Sequence, residues 1–89
     1  MSQNTSTLST PNTGDTHIRW GIIGAGHIAR TFATDIAYAP HATLTAVASR
    51  QLSRAQAFAD DFSIPTAYGS YEEILADPNI DAIYIATPH

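Results

Sequence analysis

Apolar residues along this chain alternate between two spacings. The run Ile18-Arg19-Trp20-Gly21-Ile22-Ile23 reads as a strand, and after a glycine turn Ile28, Phe32 and Ile36 recur every fourth residue beside the small Ala29, Ala33 and Ala37. That second spacing predicts a helix over about residues 27–39, stopped by Pro40, whose ring does not fit a helix interior. Thr43-Leu44-Thr45-Ala46-Val47-Ala48 is mostly apolar and predicts a strand with both faces covered. Ala55, Phe58, Ala59 and Phe62 then form the stripe of a second helix, ending near Ile64-Pro65. A short strand is expected at Thr66-Ala67-Tyr68, and Gly69 turns the chain again. Ser70 and Glu73 have the spacing of a capping box. They open a short third helix with Tyr71, Ile74 and Leu75 on its apolar face, ended by Asp77-Pro78-Asn79. Ala82-Ile83-Tyr84-Ile85-Ala86 predicts a fourth strand.

Strands alternating with helices imply β-α-β crossovers and a parallel sheet, an α/β class. In the doubly wound order the fourth strand lies on the far side of the first. The crevice at that switch point is then bounded by Gly24–Ala29 and by Thr87–His89. The helix and strands of a second half do not follow, so we expect residues 17–89 to be the amino-terminal part of a Rossmann-type domain in a longer protein.

Gly24-Ala25-Gly26-His27-Ile28-Ala29 is a G-x-G-x-x-A turn set between a strand and a helix. A lone glycine pattern is weak, and its weight here comes from that context. Gly24 permits the tight turn, Gly26 lets a pyrophosphate approach the backbone, and Ala29 keeps the helix near the sheet. The helix's first N–H groups then point at the anion, aided by the helix dipole. The alternative is a glycine-rich turn that binds nothing.

The end of the second strand is the next informative place. NAD-binding folds carry an acidic residue there to hold the adenine ribose hydroxyls. This chain reads Ala48-Ser49-Arg50-Gln51, with Arg54 one turn further on, and has no Asp or Glu in that stretch. A hydroxyl and two guanidinium groups suit the 2′-phosphate of NADP, because arginine donates paired bonds to phosphate oxygens. Solvated surface arginines are the plainer alternative, although a cation near a helix start opposes the dipole. NADP is therefore the expected cofactor, with NAD second. His27 offers its backbone N–H rather than its ring, His17 and His41 read as surface residues, and His89 lines the cleft without a visible partner. No metal-ligand spacing occurs, and Asp60-Asp61 and Glu72-Glu73 read as solvated helix faces.

Composition narrows the picture further. The chain has 89 residues, room for one small domain, and its 44% hydrophobic content suits a globular protein. A formal net charge of -4, with arginine its only basic residue besides histidine, argues against nucleic-acid binding. No apolar run approaches membrane-spanning length, so no membrane partner is expected. Without cysteine there are no disulfides or thiolate metal sites. Residues 1–16 hold only Met1 and Leu8 as apolar side chains and are expected to be a disordered tail. That segment has neither the apolar core of a secretory signal nor arginine, which leaves the cytoplasm as the expected location.

Taken together, residues 18–29, Val47-Ala48-Ser49-Arg50 and Asp81-Ala82-Ile83-Tyr84-Ile85-Ala86-Thr87-Pro88-His89 resemble one family. It is the glucose–fructose oxidoreductase / inositol dehydrogenase family of NAD(P)-dependent oxidoreductases, whose similar members include dihydrodiol and xylose dehydrogenases. The resemblance covers about residues 18–89. It implies that Gly24, Gly26, His27 and Ile28 contact the pyrophosphate and that Ser49, Arg50 and Arg54 recognise the adenosine phosphate. It also places Thr87, Pro88 and His89 beside the nicotinamide ribose. The family's catalytic lysine belongs to a Glu-Lys-Pro motif after the next strand, and this chain contains no lysine, so no catalytic residue is expected within it. The implied activity is hydride transfer between the nicotinamide and a sugar, polyol or cyclic diol, by a protein that is a homo-oligomer at full length. A non-catalytic dinucleotide sensor of the same fold is the alternative from another class. A nucleotide-dependent methyltransferase has a similar glycine loop, but the arginines at the second strand count against it.

Overall fold

The structure, a computed structural model, describes residues 17–87; the expected disordered tail, residues 1–16, lies outside them, as do Pro88 and His89. Within that span the chain alternates β1 (Ile18–Ile23), α1 (His27–Ile36), β2 (Ala42–Ala48), α2 (Leu52–Phe62), β3 (Thr66–Tyr68), α3 (Tyr71–Leu75) and β4 (Ala82–Ile85). The strands form one sheet in the order β3-β2-β1-β4, and every pairing is parallel. As the alternation predicts, β4 pairs with β1 on the side away from β2. The order therefore reverses at β1, which places the switch-point crevice at the carboxyl ends of β1 and β4.

Successive strand residues point to opposite faces, and both faces are covered. Ile22 and Val47 pack with Ala29, Ala33, Ala55, Phe58 and Ala59 beneath α1 and α2. Ile23, Ala46 and Ala48 pack with Ile74 of α3 on the opposite face. Phe58, Ile22, Ile74 and Val47 are the largest fully buried side chains, each contributing about 1.5–3 kcal/mol by leaving water. Phe32, only partly buried, closes one end of the first layer by stacking on Tyr84 at 4.0 Å between ring centroids.

Three local expectations are corrected. First, α1 ends at Ile36 rather than near Ala39. The residue before a proline is pushed out of the helical region, and the chain unwinds earlier through tighter bonds, Tyr38 N–H to Asp35 O and Ala39 N–H to Ile36 O. Second, Ile28 is 55% exposed although it shares the spacing of Phe32 and Ile36, because α1 approaches the sheet along the small Ala29 and Ala33. Third, Leu75 is 64% exposed, since α3 turns Tyr71 and Ile74, three residues apart, toward the core layer and leaves Leu75 outside it. β4 ends one residue before Ala86, whose N–H still bonds to Ile23 O at 2.8 Å.

The opposite end of the sheet is fastened by an ion pair between β1 and the loop before β4. Arg19 Nε and Nη2 each donate to Asp81 at 3.0 Å, and the Arg19 backbone N–H donates to Asp81 Oδ2 at 2.8 Å. These bonds, side chain first and backbone second, lower the Asp81 carboxyl from its usual range to about 2. A carboxyl depressed on folding stabilises the native state above its unfolded pKa and loses that effect as pH falls through the folded value. Stability should therefore decline between pH about 4 and about 2, modestly because both side chains face solvent. Asp77, lowered by the Tyr68 hydroxyl and the Asn79 N–H, adds to the same limb. Denaturant midpoints measured across that range should fall less steeply in Asp81→Asn; an unchanged slope would remove Asp81 from the explanation.

Candidate functional site

The carboxyl ends of β1, β2 and β4 meet around a crevice of about 470 Å³. Gly24, Ala25 and Gly26 line it from the β1–α1 turn, and Ser49, Arg50 and Gln51 line it from the β2–α2 turn. Arg54 reaches it from the first turn of α2, Tyr71 from the start of α3, and Ala86 and Thr87 from beyond β4. No carboxylate is among these lining residues.

The glycines of the turn are required for different reasons. Gly24 has φ 109°, a left-handed conformation that strains any residue with a Cβ, and a Cβ there would stand 3.0 Å from the Ala86 carbonyl oxygen. Gly26 has φ -95° and ψ -161°, an extended conformation open to any residue, and a Cβ there would meet nothing within 4 Å. Neither backbone nor packing calls for glycine at Gly26. A side chain there would occupy only the crevice, where the bare backbone lets a ligand come close.

The helix ends around the crevice are unequally finished. α1 begins after Gly26 and α2 after Gln51, and neither start has a side-chain cap or an acidic residue in its first turn. α3 has both: Ser70 Oγ accepts the Glu73 N–H at 3.3 Å, and Glu72 and Glu73 sit in its first turn. The α1 and α2 starts thus keep unpaired N–H groups and positive dipole ends for an anion. The first bond inside α1 runs from Arg30 N–H to Gly26 O at 3.1 Å, leaving the preceding N–H groups of His27 and Ile28 without intrahelical acceptors.

Ser49 is almost fully buried and is held by its N–H to Tyr68 O at 3.1 Å. Its Oγ accepts the Gln51 N–H at 3.3 Å, so the hydroxyl proton is left without an acceptor among the described residues. Arg50 lies at the mouth, its guanidinium carbon 5.7 Å from the centre of the Tyr71 ring. The ion pairs among the described residues join Arg19 to Asp81 and Arg30 to Asp61, so Arg50 and Arg54 bring two cations to the crevice with no carboxylate partner there.

Of the residues singled out in the sequence, Gly24, Gly26, Ser49, Arg50, Arg54 and Thr87 come together in this crevice. His27 and Ile28 do not line it: they follow Gly26 as the first residues of α1, and His27 lines a separate depression with Arg30 and Thr31. Pro88 and His89 lie outside the described residues. Ala25, Gln51, Tyr71 and Ala86 join the lining without having been singled out as ligand contacts. Among the described residues no group of three or more His, Cys, Asp or Glu is placed to hold a metal ion. No helix there is long and apolar enough to cross a membrane.

Residues 18–89 match the family described as "Oxidoreductase family, NAD-binding Rossmann fold". The chain belongs to that family. It is the glucose–fructose oxidoreductase / inositol dehydrogenase family that the sequence motifs resemble. Over 74 residues the chain is 51% identical to a trans-1,2-dihydrobenzene-1,2-diol dehydrogenase from Mus musculus, covering 81% of this chain and 22% of that protein. A myo-inositol dehydrogenase from Lactobacillus casei, solved with NAD(H) and myo-inositol, aligns with TM-score 0.73 and 26% identity over 80% of this chain and 22% of its own. A 3-ketoreductase mutant from Actinomadura kijaniata, solved with NADP, aligns with TM-score 0.72 and 32% identity over 81% of this chain and 23% of its own. The chain therefore spans about a fifth of the length of these relatives. Members of this fold bind either dinucleotide, so the choice between NAD and NADP rests on this chain's own residues.

Proposed function

We propose that this domain binds NADP(H) in preference to NAD(H), and that the whole protein oxidises or reduces a cyclic diol, polyol or sugar. The observation that carries the cofactor choice is the end of β2, where Arg50 and Arg54 line the crevice and no carboxylate does. A carboxylate there would accept bonds from ribose hydroxyls and repel a 2′-phosphate, whereas guanidinium groups donate to the phosphate. The support for the substrate class is the identity with a dihydrodiol dehydrogenase and the likeness to an inositol dehydrogenase.

The bound nicotinamide supplies hydride transfer, and this chain supplies binding and orientation. Gly24, Gly26 and the N–H groups that open α1 hold the pyrophosphate. Ser49 would donate a hydrogen bond to the 2′-phosphate, and Arg50 and Arg54 would offset its charge. Thr87 borders the nicotinamide ribose. The chain contributes no lysine.

The direct test incubates the full-length protein with NADP+ and a trans cyclic 1,2-diol, an inositol or an aldose, following nicotinamide absorbance. Oxidation of at least one of these, faster with NADP+ than with NAD+, is the expected result. Tight NADPH binding with no turnover on any of them would replace the enzyme reading with a dinucleotide-sensing protein.

A further inference from the structure

The geometry points to Tyr71 as the residue that positions Arg50 for the adenosine phosphate, a role that rests on the NADP(H) reading above. Arg50 is exposed at the crevice mouth, where a long side chain has many rotamers and an unheld guanidinium would lose affinity by having to be ordered on binding. The Tyr71 ring lies 5.7 Å from the guanidinium carbon, within cation–π range. The ring itself is fixed. It packs against the core layer of Ile23, Ala46, Ala48 and Ile74, and it opens α3, whose start is tied by the Ser70–Glu73 bond.

The choice of an aromatic partner has a chemical consequence. A guanidinium has two kinds of surface, a π face and an edge of N–H donors lying in its plane. A carboxylate partner would take the edge, which is the surface that a phosphate needs. An aromatic ring offers no oxygen acceptor to that edge, so it can hold the group while leaving its donors to a phosphate. Arg19 and Arg30 differ in this respect: each donates to an aspartate, Asp81 and Asp61, although Arg30 also lies near the Phe58 and Phe62 rings. Arg50 is restrained without being used up.

The experiment titrates NADPH and NADH into the full-length protein carrying Tyr71→Leu, Tyr71→Phe, Arg50→Ala, or Arg50→Ala with Tyr71→Leu. Tyr71→Leu should weaken NADPH binding about two- to fivefold, the range of an exposed cation–π contact, and leave NADH binding unchanged. Tyr71→Phe should bind both dinucleotides as wild type does, since the ring and not the hydroxyl is used. In the Arg50→Ala background the Leu substitution should have no further effect on NADPH. Equal weakening of both dinucleotides by Tyr71→Leu, a loss in Tyr71→Phe as large as in Tyr71→Leu, or a Leu effect that persists without Arg50 would each overturn the positioning role. Arg50→Ala separates the two claims. If it weakens NADPH selectively while Tyr71→Leu is silent, positioning fails alone; if it does not discriminate between the dinucleotides, the phosphate reading fails first.

Discussion

Replacing Arg50 with Ala is expected to weaken NADP(H) binding about ten- to a hundredfold while leaving NAD(H) binding nearly unchanged. The magnitude follows from charge-assisted bonds to a phosphate, which contribute about 1.5–3 kcal/mol each. The selectivity follows from place: Arg50 stands at the end of β2, while the pyrophosphate elements shared by both dinucleotides belong to the β1–α1 turn. Arg54, also in the lining, should retain part of the preference in that variant. Adding Ser49→Asp should move the preference toward NAD(H), because a carboxylate repels the 2′-phosphate and accepts ribose hydroxyls. Titration of both dinucleotides reads the result. Equal losses for the two would mean that Arg50 acts through folding or general charge.

Gly26→Val is expected to weaken binding of both dinucleotides by roughly a hundredfold or more, since blocking even two charge-assisted bonds to the pyrophosphate removes about 3–6 kcal/mol. The fold should survive it. The backbone at Gly26 is already extended, and a Cβ there meets nothing within 4 Å. Gly24→Ala makes the contrasting case, with its strained φ of 109° and the Ala86 carbonyl in the way, so it should cost stability as well as binding. Circular dichroism beside the titrations distinguishes these outcomes. Wild-type affinity in a folded Gly26→Val protein would mean that the glycine turn is not where the pyrophosphate sits.

Several boundaries were legible because the chain punctuates them chemically. β1 runs from Ile18 to Ile23 and stops at the glycine turn, β3 occupies Thr66–Tyr68 between Pro65 and Gly69, and Ser70 caps α3 as its spacing with Glu73 implied. The position of β4 beside β1 followed from the alternation of strands and helices. Periodicity was less informative about depth. A four-residue repeat groups Ile28 with Phe32 and Ile36, but the distance between α1 and the sheet is set by the small Ala29 and Ala33, which turns Ile28 outward. Leu75 failed in the same way, because the inward face of so short a helix is already taken by Tyr71 and Ile74.

The crevice itself was partly legible. Gly24, Gly26, Ser49, Arg50 and Arg54 stand out because a β-α-β unit fixes how far the end of the second strand lies from the glycine turn. Tyr71 gave no such signal. Its spacing marks it as core, and it does pack on a core layer; its nearness to Arg50 depends on how α3 returns across the sheet, a long-range contact with no local trace. Ala25 and Ala86 were equally silent, since small residues contribute by leaving room.

The most direct measurement is the pair of dissociation constants of the unmodified full-length protein for NADPH and NADH at one ionic strength. With Ser49, Arg50 and Arg54 around the adenosine phosphate, NADPH should bind at least about tenfold more tightly. Tighter binding of NADH would contradict the assignment of this crevice as an NADP(H) site.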